Sequence, residues 1–102
     1  MATDPDARRQ SIIAAFDRAA SGYDREALRF FGFCADRLLV LLRPAPGDKL
    51  LDIAAGTGAV TLAAAQAVGP RGRVVAVDLS EAMLARLEEK IQHFKLANID
   101  IH

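Results

Sequence analysis

The chain has 102 residues, of which 52% are hydrophobic and 25% are charged. This composition is typical of one small globular domain and is too apolar for a disordered chain. The 13 basic and 13 acidic residues give a formal net charge of zero, and the basic residues are scattered along the chain. A nucleic-acid-binding surface therefore has no support from composition.

Cysteine and histidine usage excludes several kinds of site. The single cysteine, Cys34, excludes an internal disulfide and a multi-thiolate metal site. The histidines, His93 and His102, lack a ligand spacing, so no metal site is predicted. The start, MATDPDARRQ, lacks the apolar core of a signal peptide, and the longest strongly apolar run, Leu38 to Leu42, is too short to span a membrane. These features predict a soluble cytoplasmic protein.

Two helices are predicted in the first part of the chain. Apolar residues recur at helical spacing over residues 6–20, and Ser21-Gly22 is a plausible stop. Residues 26–43 carry a broad apolar stripe, which predicts a second helix that is largely covered. Two prolines and a glycine within residues 44–48 end it. We therefore expect residues 1–46 to form a helical cap.

From Lys49 onward the pattern predicts strands that alternate with helices. Strands are expected over residues 49–54, 73–77 and 98–102, and helices over residues 58–68 and 81–95. The run RVVAV is β-branched and continuous, like a strand buried on both faces. The last helix has a good N-cap in Ser80 and an apolar stripe of Leu84, Leu87, Ile91 and Phe94.

This alternation predicts an α/β fold. Strand, helix and strand in succession imply right-handed crossovers and a parallel sheet. Residues 47–102 are thus expected to form a Rossmann-like βαβαβ unit, one half of a doubly wound fold.

The chemistry is expected where the first strand meets its helix. Gly56-Thr57-Gly58 allow a sharp turn and the close approach of a ligand, and the helix that follows favours negative charge at its start. Asp78 follows the neighbouring strand, about 20 residues after Gly58, the spacing at which an acid accepts hydrogen bonds from ribose hydroxyls. Together these features predict a site for a ribose-containing cofactor.

Two residues argue against a dinucleotide. Thr61 stands where the dinucleotide fingerprint has its third glycine. Asp52 lies within the first strand, where a carboxylate would be an odd neighbour for a pyrophosphate. A carboxylate there suits a cofactor with positive charge, such as a sulfonium and an ammonium.

The same residues carry a family resemblance. The stretches DIAAGTG at 52–58 and VAVDLSEAML at 75–84 resemble the class I S-adenosylmethionine-dependent methyltransferases. Within that superfamily the chain most resembles the ubiquinone/menaquinone-biosynthesis branch and its small-molecule relatives. The upstream FDRAASGYD at 16–24 is similar to the N-terminal helix motif of that branch. The central motif is highly specific for the superfamily and weakly specific for the substrate.

The resemblance implies S-adenosylmethionine as cofactor and a role for each matching residue. Asp78 would bind the ribose hydroxyls, Leu79 and Met83 would flank the adenine, and Tyr23 would close over the cofactor. The methionine end would be held by the first-strand acid and the loop, namely Asp52, Ala54, Ala55, Gly56, Thr57 and Gly58. Ala54 replaces the first glycine of the family pattern, although alanine is comfortable only at negative φ. No catalytic residue is predicted, because methyl transfer depends mainly on alignment.

The family fold has seven strands, whereas this sequence predicts three. We therefore expect the chain to be the N-terminal half of a methyltransferase domain that acts on a small molecule, such as a quinone precursor. The first strand would be an open apolar edge that favours self-association. Two alternatives stay open: a fragment of an NAD-dependent oxidoreductase, and a non-catalytic Rossmann-like assembly module.

Overall fold

The computed structural model describes residues 4–23 and 30–102 and confirms the α/β class. The elements follow in the order α1 (Pro5–Ala19), a short 3-10 helix (Ala20–Gly22), α2 (Phe30–Leu42), β1 (Lys49–Ile53), α3 (Ala59–Val68), β2 (Arg73–Val77), α4 (Glu81–Phe94) and β3 (Ile99–Ile101). The predicted order of elements is therefore confirmed. The predicted start of α2 at Glu26, and Asp24 of the upstream motif, lie outside the described residues.

The described helix ends follow from local chemistry. Asp4 caps α1 by accepting a hydrogen bond from the Asp6 backbone N–H at 3.0 Å, and Pro5 supplies a fixed φ at the first helical position. Ser80 caps α4 as predicted, because its hydroxyl oxygen accepts a hydrogen bond from the Met83 backbone N–H at 3.2 Å. At the other end of α4, Lys95 takes a left-handed conformation that stops the helix.

The three strands form a parallel sheet in the order β1-β2-β3, so β1 lies at an edge of the described sheet. Helices α3 and α4 both pack on one face of it. On that face, Val74 is buried against α3 and Ala76 against α4. This arrangement follows from two successive right-handed crossovers in the same direction.

The opposite face of the sheet is partly open among the described residues. Leu51 is 61% exposed and Ile53 is 72% exposed, and their register partners Val75 and Val77 are half-buried. The prediction that β2 is buried on both faces is therefore wrong for this structure. The reason is that α3 and α4 both lie on the other side.

The prediction that the second helix is largely covered is also wrong. Within α2, Ala35 is buried, whereas Val40 is 59% exposed and Leu41 is 75% exposed. The helix packs along one side on α3, so its remaining apolar positions face outward. Phe94, the last residue of the predicted apolar stripe of α4, is also the last residue of the helix; it is exposed, and its ring packs edge-on against His93.

Candidate functional site

Two cavities open at the carboxyl ends of β1 and β2. The Asp78 cavity, of about 490 Å³, lies between α1 and the start of α4. The Asp52 cavity, of about 480 Å³, lies between α2 and the glycine loop of residues 54–58. The two cavities share Tyr23, Ala54 and Gly56. Both volumes fall within the roughly 300–1,000 Å³ typical of ligand pockets, and the position is where open α/β sheets bind ligands.

The glycine loop depends on left-handed backbone at three positions. The φ angles are 61° at Ala54, 59° at Gly56 and 96° at Gly58. A Cβ atom placed on Gly58 would lie 2.3 Å from the Cδ1 atom of Leu87, so close packing against α4 requires glycine there. Ala54 takes a conformation that costs a non-glycine residue about 1–2 kcal/mol. The loop therefore keeps the glycine-type conformation despite the alanine.

Asp78 connects the glycine loop to the start of α4. Its Oδ2 atom accepts a hydrogen bond from the Gly56 backbone N–H, and its Oδ1 atom accepts one from the Ser80 backbone N–H, both at 2.8 Å. A carboxylate offers about four acceptor positions, so these two contacts leave capacity for ligand hydroxyls. The side chain is half-buried at the wall of its cavity.

Asp52 is oriented by a residue whose role the sequence analysis missed. The Thr61 hydroxyl donates a hydrogen bond to Asp52 Oδ2 at 2.6 Å, and Thr61 is fully buried. In the sequence, Thr61 is interpreted only as a departure from the third glycine of the dinucleotide fingerprint. The signal was available, because that position of the fingerprint is where the helix packs closely on the strand. A side chain there necessarily meets β1.

The three predicted cofactor-flanking residues converge on the Asp78 cavity. The Tyr23 ring stacks on the Phe31 ring, with centroids 5.5 Å apart and planes at 8°. Its Cε1 atom lies 3.9 Å from the position of a Cβ built on Gly56, so the ring stands beside the loop. Met83 is buried and Leu79 is 55% exposed, and both line the cavity.

Helix α1 contributes a wall that the sequence analysis did not assign. Ile12, Ile13 and Phe16 line the Asp78 cavity. The buried Ser80 hydroxyl donates a hydrogen bond to Asp17 Oδ1 at 2.5 Å, which anchors α1 to the start of α4. The only signal in the sequence was the place of Asp17 in the upstream motif. Asp17 and Ser80 are 63 positions apart, so the periodicity of the sequence cannot predict their contact.

Lys90 is a further residue that the sequence analysis missed. Its Nζ atom donates a hydrogen bond to the Thr57 backbone oxygen at 2.8 Å, and its side chain lines the Asp52 cavity. Lys90 lies one helical turn after Leu87, the residue packed against Gly58. A long side chain on that face of α4 reaches the loop.

Two further findings concern only the residues that the structure describes, 4–23 and 30–102. Within them, no group of three or more histidine, cysteine, aspartate or glutamate residues is placed to hold a metal ion. None of their helices has the length and apolar character needed to cross a membrane.

Comparison with known proteins identifies the family. Residues 50–102 match the family described as "Methyltransferase domain". Nocamycin O-methyltransferase of Saccharothrix syringae is 49% identical over 69 residues, covering 68% of this chain and 25% of that protein. Demethylmenaquinone methyltransferase of Bacillus cereus is 41% identical over 56 residues, covering 55% of this chain and 24% of that protein. The chain thus spans about a quarter of the length of these curated relatives.

A solved structure supports the fold. The S-adenosylmethionine-dependent methyltransferase from Aquifex aeolicus superposes with a TM-score of 0.71 at 24% identity, covering 84% of this chain and 45% of that one. At this identity the likeness concerns the fold alone. Because the family match spans more than half of the chain, the predicted family is confirmed: the chain belongs to the methyltransferase-domain family and has its Rossmann-like fold.

Proposed function

We propose that the chain is the S-adenosylmethionine-binding part of a methyltransferase whose acceptor is a small molecule. The observation that carries the proposal is the placement of two carboxylates, Asp52 and Asp78, in two neighbouring cavities that share Tyr23, Ala54 and Gly56 as lining residues. The acceptor groups suit the two ends of this cofactor, because ribose hydroxyls and an α-ammonium group both donate hydrogen bonds.

The Asp78 cavity suits the adenosine end. Asp78 would accept hydrogen bonds from both ribose hydroxyls through the acceptor positions that Gly56 and Ser80 leave available. Leu79 and Met83 would flank the adenine ring, with the apolar side chains of α1 on the other side. An apolar slot with a single carboxylate at its edge matches the chemistry of a nucleoside.

The Asp52 cavity suits the methionine end. Asp52, held by Thr61, would accept a hydrogen bond from the α-ammonium group. The start of α3, which lines the same cavity, favours the negative charge of the α-carboxylate. Tyr23 lines both cavities, so its ring would cover the middle of a cofactor that spans them.

In this proposal the site contributes to methyl transfer by aligning the cofactor with the acceptor. S-adenosylmethionine, when bound, supplies an electrophilic methyl group. The loop and the two carboxylates fix both ends of the ligand, and orientation of this kind is a large part of the rate advantage in a displacement reaction. None of the described side chains is assigned as a general base.

The acceptor and the cellular setting belong to the same proposal. Two relatives are named for methylation of nocamycin and demethylmenaquinone, which favours a small organic acceptor. The single cysteine, Cys34, excludes a disulfide within the chain, which favours a reducing, cytoplasmic setting. In the described sheet β1 is an edge strand, and Leu51 and Ile53 are exposed; both features favour self-association of the isolated chain, which light scattering measures.

Calorimetric titration with S-adenosylhomocysteine and with NAD, side by side, tests the function. We expect saturable binding of S-adenosylhomocysteine and no binding of NAD, because Asp52 and Thr61 oppose a pyrophosphate at the loop. Binding of NAD alone would favour the oxidoreductase alternative. Binding of neither ligand by a monodisperse dimer would favour the assembly module.

A further inference from the structure

The loop that would hold the methionine end is fixed from α4 by two different contacts. Leu87 fills the space beside Gly58, where a Cβ atom would lie 2.3 Å from its Cδ1 atom. Lys90, one turn later, donates a hydrogen bond from Nζ to the Thr57 oxygen at 2.8 Å. Thr57 is buried and Lys90 is half-buried, so this charge lies at the cavity wall and not in bulk water.

The Asp52 cavity contains opposite charges at separate positions. Asp52 supplies a negative charge, and Thr61 fixes its orientation. Lys90 supplies a positive charge, which adds to the partial positive charge at the start of α3. Asp52 and Lys90 are the charged residues among the described residues that line this cavity, and one negative group beside one positive region is complementary to a zwitterion such as an α-amino acid.

Lys90 also changes the field of the loop itself. A backbone carbonyl oxygen such as that of Thr57 carries partial negative charge and would repel a carboxylate. The ammonium group bonded to that oxygen offsets this repulsion, and its charge has the same sign as the partial charge of the amide groups at the start of α3.

We propose that Lys90 is a positioning and specificity residue for the α-carboxylate of the cofactor, while Asp52 takes the α-ammonium group. This inference rests on the proposed function and deepens it. It assigns to a single residue on α4 the part of the discrimination between adenosine ligands with and without an amino-acid tail that depends on the α-carboxylate.

The test compares two ligands in three proteins. S-adenosylhomocysteine carries the α-ammonium and α-carboxylate groups, whereas 5′-methylthioadenosine carries neither. Lys90→Met keeps the apolar stem and removes the charge, and Lys90→Arg keeps the charge. We expect Lys90→Met to weaken S-adenosylhomocysteine binding about tenfold, to leave 5′-methylthioadenosine binding unchanged, and Lys90→Arg to retain most of the affinity. Lys95→Met, at the exposed end of the same helix, is the control with matched net charge.

A third ligand separates charge pairing from loop shape. A thioether analogue of S-adenosylhomocysteine that lacks only the carboxylate should bind the unaltered protein about tenfold more weakly, and Lys90→Met should not weaken it further. The first half uses the unaltered protein and tests whether the carboxylate contributes to binding, so equal affinities there would overturn the inference even where Lys90→Met fails to fold.

Each outcome bears on the inference. Equal losses for S-adenosylhomocysteine and 5′-methylthioadenosine in Lys90→Met would show that Lys90 acts only through the shape of the loop, and would overturn it. Unchanged S-adenosylhomocysteine binding in Lys90→Met would overturn it as well. Failure of the unaltered protein to bind any of the three ligands would overturn the proposed function, which is a distinct result.

Discussion

The strand half of the molecule, residues 47–102, and the helical cap before it are held in place differently. In the strand half, both candidate carboxylates are fixed by hydrogen bonds, and Val68, Val74, Ala76 and Leu87 are fully buried. In the cap, α1 contains no buried residue, and Ile12 and Phe16 are each 45% exposed. Few buried apolar contacts mean low local stability. The strand half therefore fixes the two candidate carboxylates, whereas α1 adds a cavity wall that few contacts among the described residues hold.

The largest expected effect tests the strand half at Gly58. Gly58→Ala adds a Cβ atom 2.3 Å from Leu87 Cδ1 at a residue with φ of 96°, so it combines overpacking with backbone strain. We expect a loss of about 2–4 kcal/mol in the free energy of unfolding, measured by chemical denaturation.

Gly47→Ala is the matched control for that measurement. Gly47 has a φ of 91° and no atom within 4 Å of the added Cβ, so it carries the strain without the clash. Its expected cost is about 0–1.6 kcal/mol, because the lower entropy of the unfolded chain offsets part of the strain. Equal costs at the two positions would mean that Leu87 yields easily and that the loop is not tightly packed on α4.

The next effect concerns the ligand itself. Asp78→Ala should lower the affinity for S-adenosylhomocysteine about 10- to 100-fold or more, because two charge-assisted hydrogen bonds are each worth roughly 1.5–3 kcal/mol and are not fully additive. Calorimetric titration measures it, with the exposed Asp36→Ala as control for charge. Equal affinities of Asp78→Ala and the unaltered protein would contradict the assignment of Asp78 to the ribose hydroxyls.

A change in the cap should act locally. Asp17→Ala leaves the buried Ser80 hydroxyl without its acceptor, at a cost of about 1–3 kcal/mol to the docking of α1. We expect faster amide hydrogen exchange in α1 and unchanged exchange in β1 and β2. Ser80→Ala should in addition loosen the start of α4, because it also removes the hydrogen bond from Met83. Uniformly faster exchange in Asp17→Ala would mean that the cap and the strand half unfold as one unit.

This contrast explains what the sequence could predict. The order of elements and the placement of Asp52 and Asp78 follow from periodicity, because parallel strands end at the same edge of a sheet. The burial of α2 was predicted wrongly, because an apolar helix surface does not reveal which neighbour covers it. The Asp17–Ser80 and Lys90–Thr57 contacts could not be predicted, since they depend on how each helix is rotated about its axis.

Ala54 offers a smaller effect within the loop. Ala54→Gly removes left-handed strain worth about 1–2 kcal/mol but increases the conformational entropy of the unfolded chain, which costs about 0.4–1 kcal/mol. We expect a net gain of about 0–1.6 kcal/mol in the free energy of unfolding, measured by the same denaturation experiment. A loss of stability would show that the alanine methyl group makes contacts that outweigh the strain.

The smallest effect concerns the ion pair between Arg73 of β2 and Asp100 of the edge strand β3. Arg73 donates two hydrogen bonds to Asp100, from Nε at 2.7 Å and from Nη2 at 2.5 Å, and these bonds hold the pKa of the Asp100 carboxyl below its ordinary range. A folded pKa below the unfolded one stabilises the protein at neutral pH. That stability is lost as the pH falls from about 4, where the unfolded carboxyl titrates, through the folded pKa. Because both side chains are solvent-exposed, the stability change is expected to be small.

An NMR titration of the Asp100 carboxyl carbon resolves this effect where unfolding measurements would not. We expect the Asp100 pKa to rise towards its ordinary range in Arg73→Gln, because the charge-assisted hydrogen bonds and the attraction to the guanidinium group are both lost. The affinity for S-adenosylhomocysteine should stay unchanged, since Arg73 and Asp100 line neither cavity. A loss of affinity in Arg73→Gln would mean that strain at the β3 edge reaches the glycine loop, and the strand half would then be less rigid than its buried core implies.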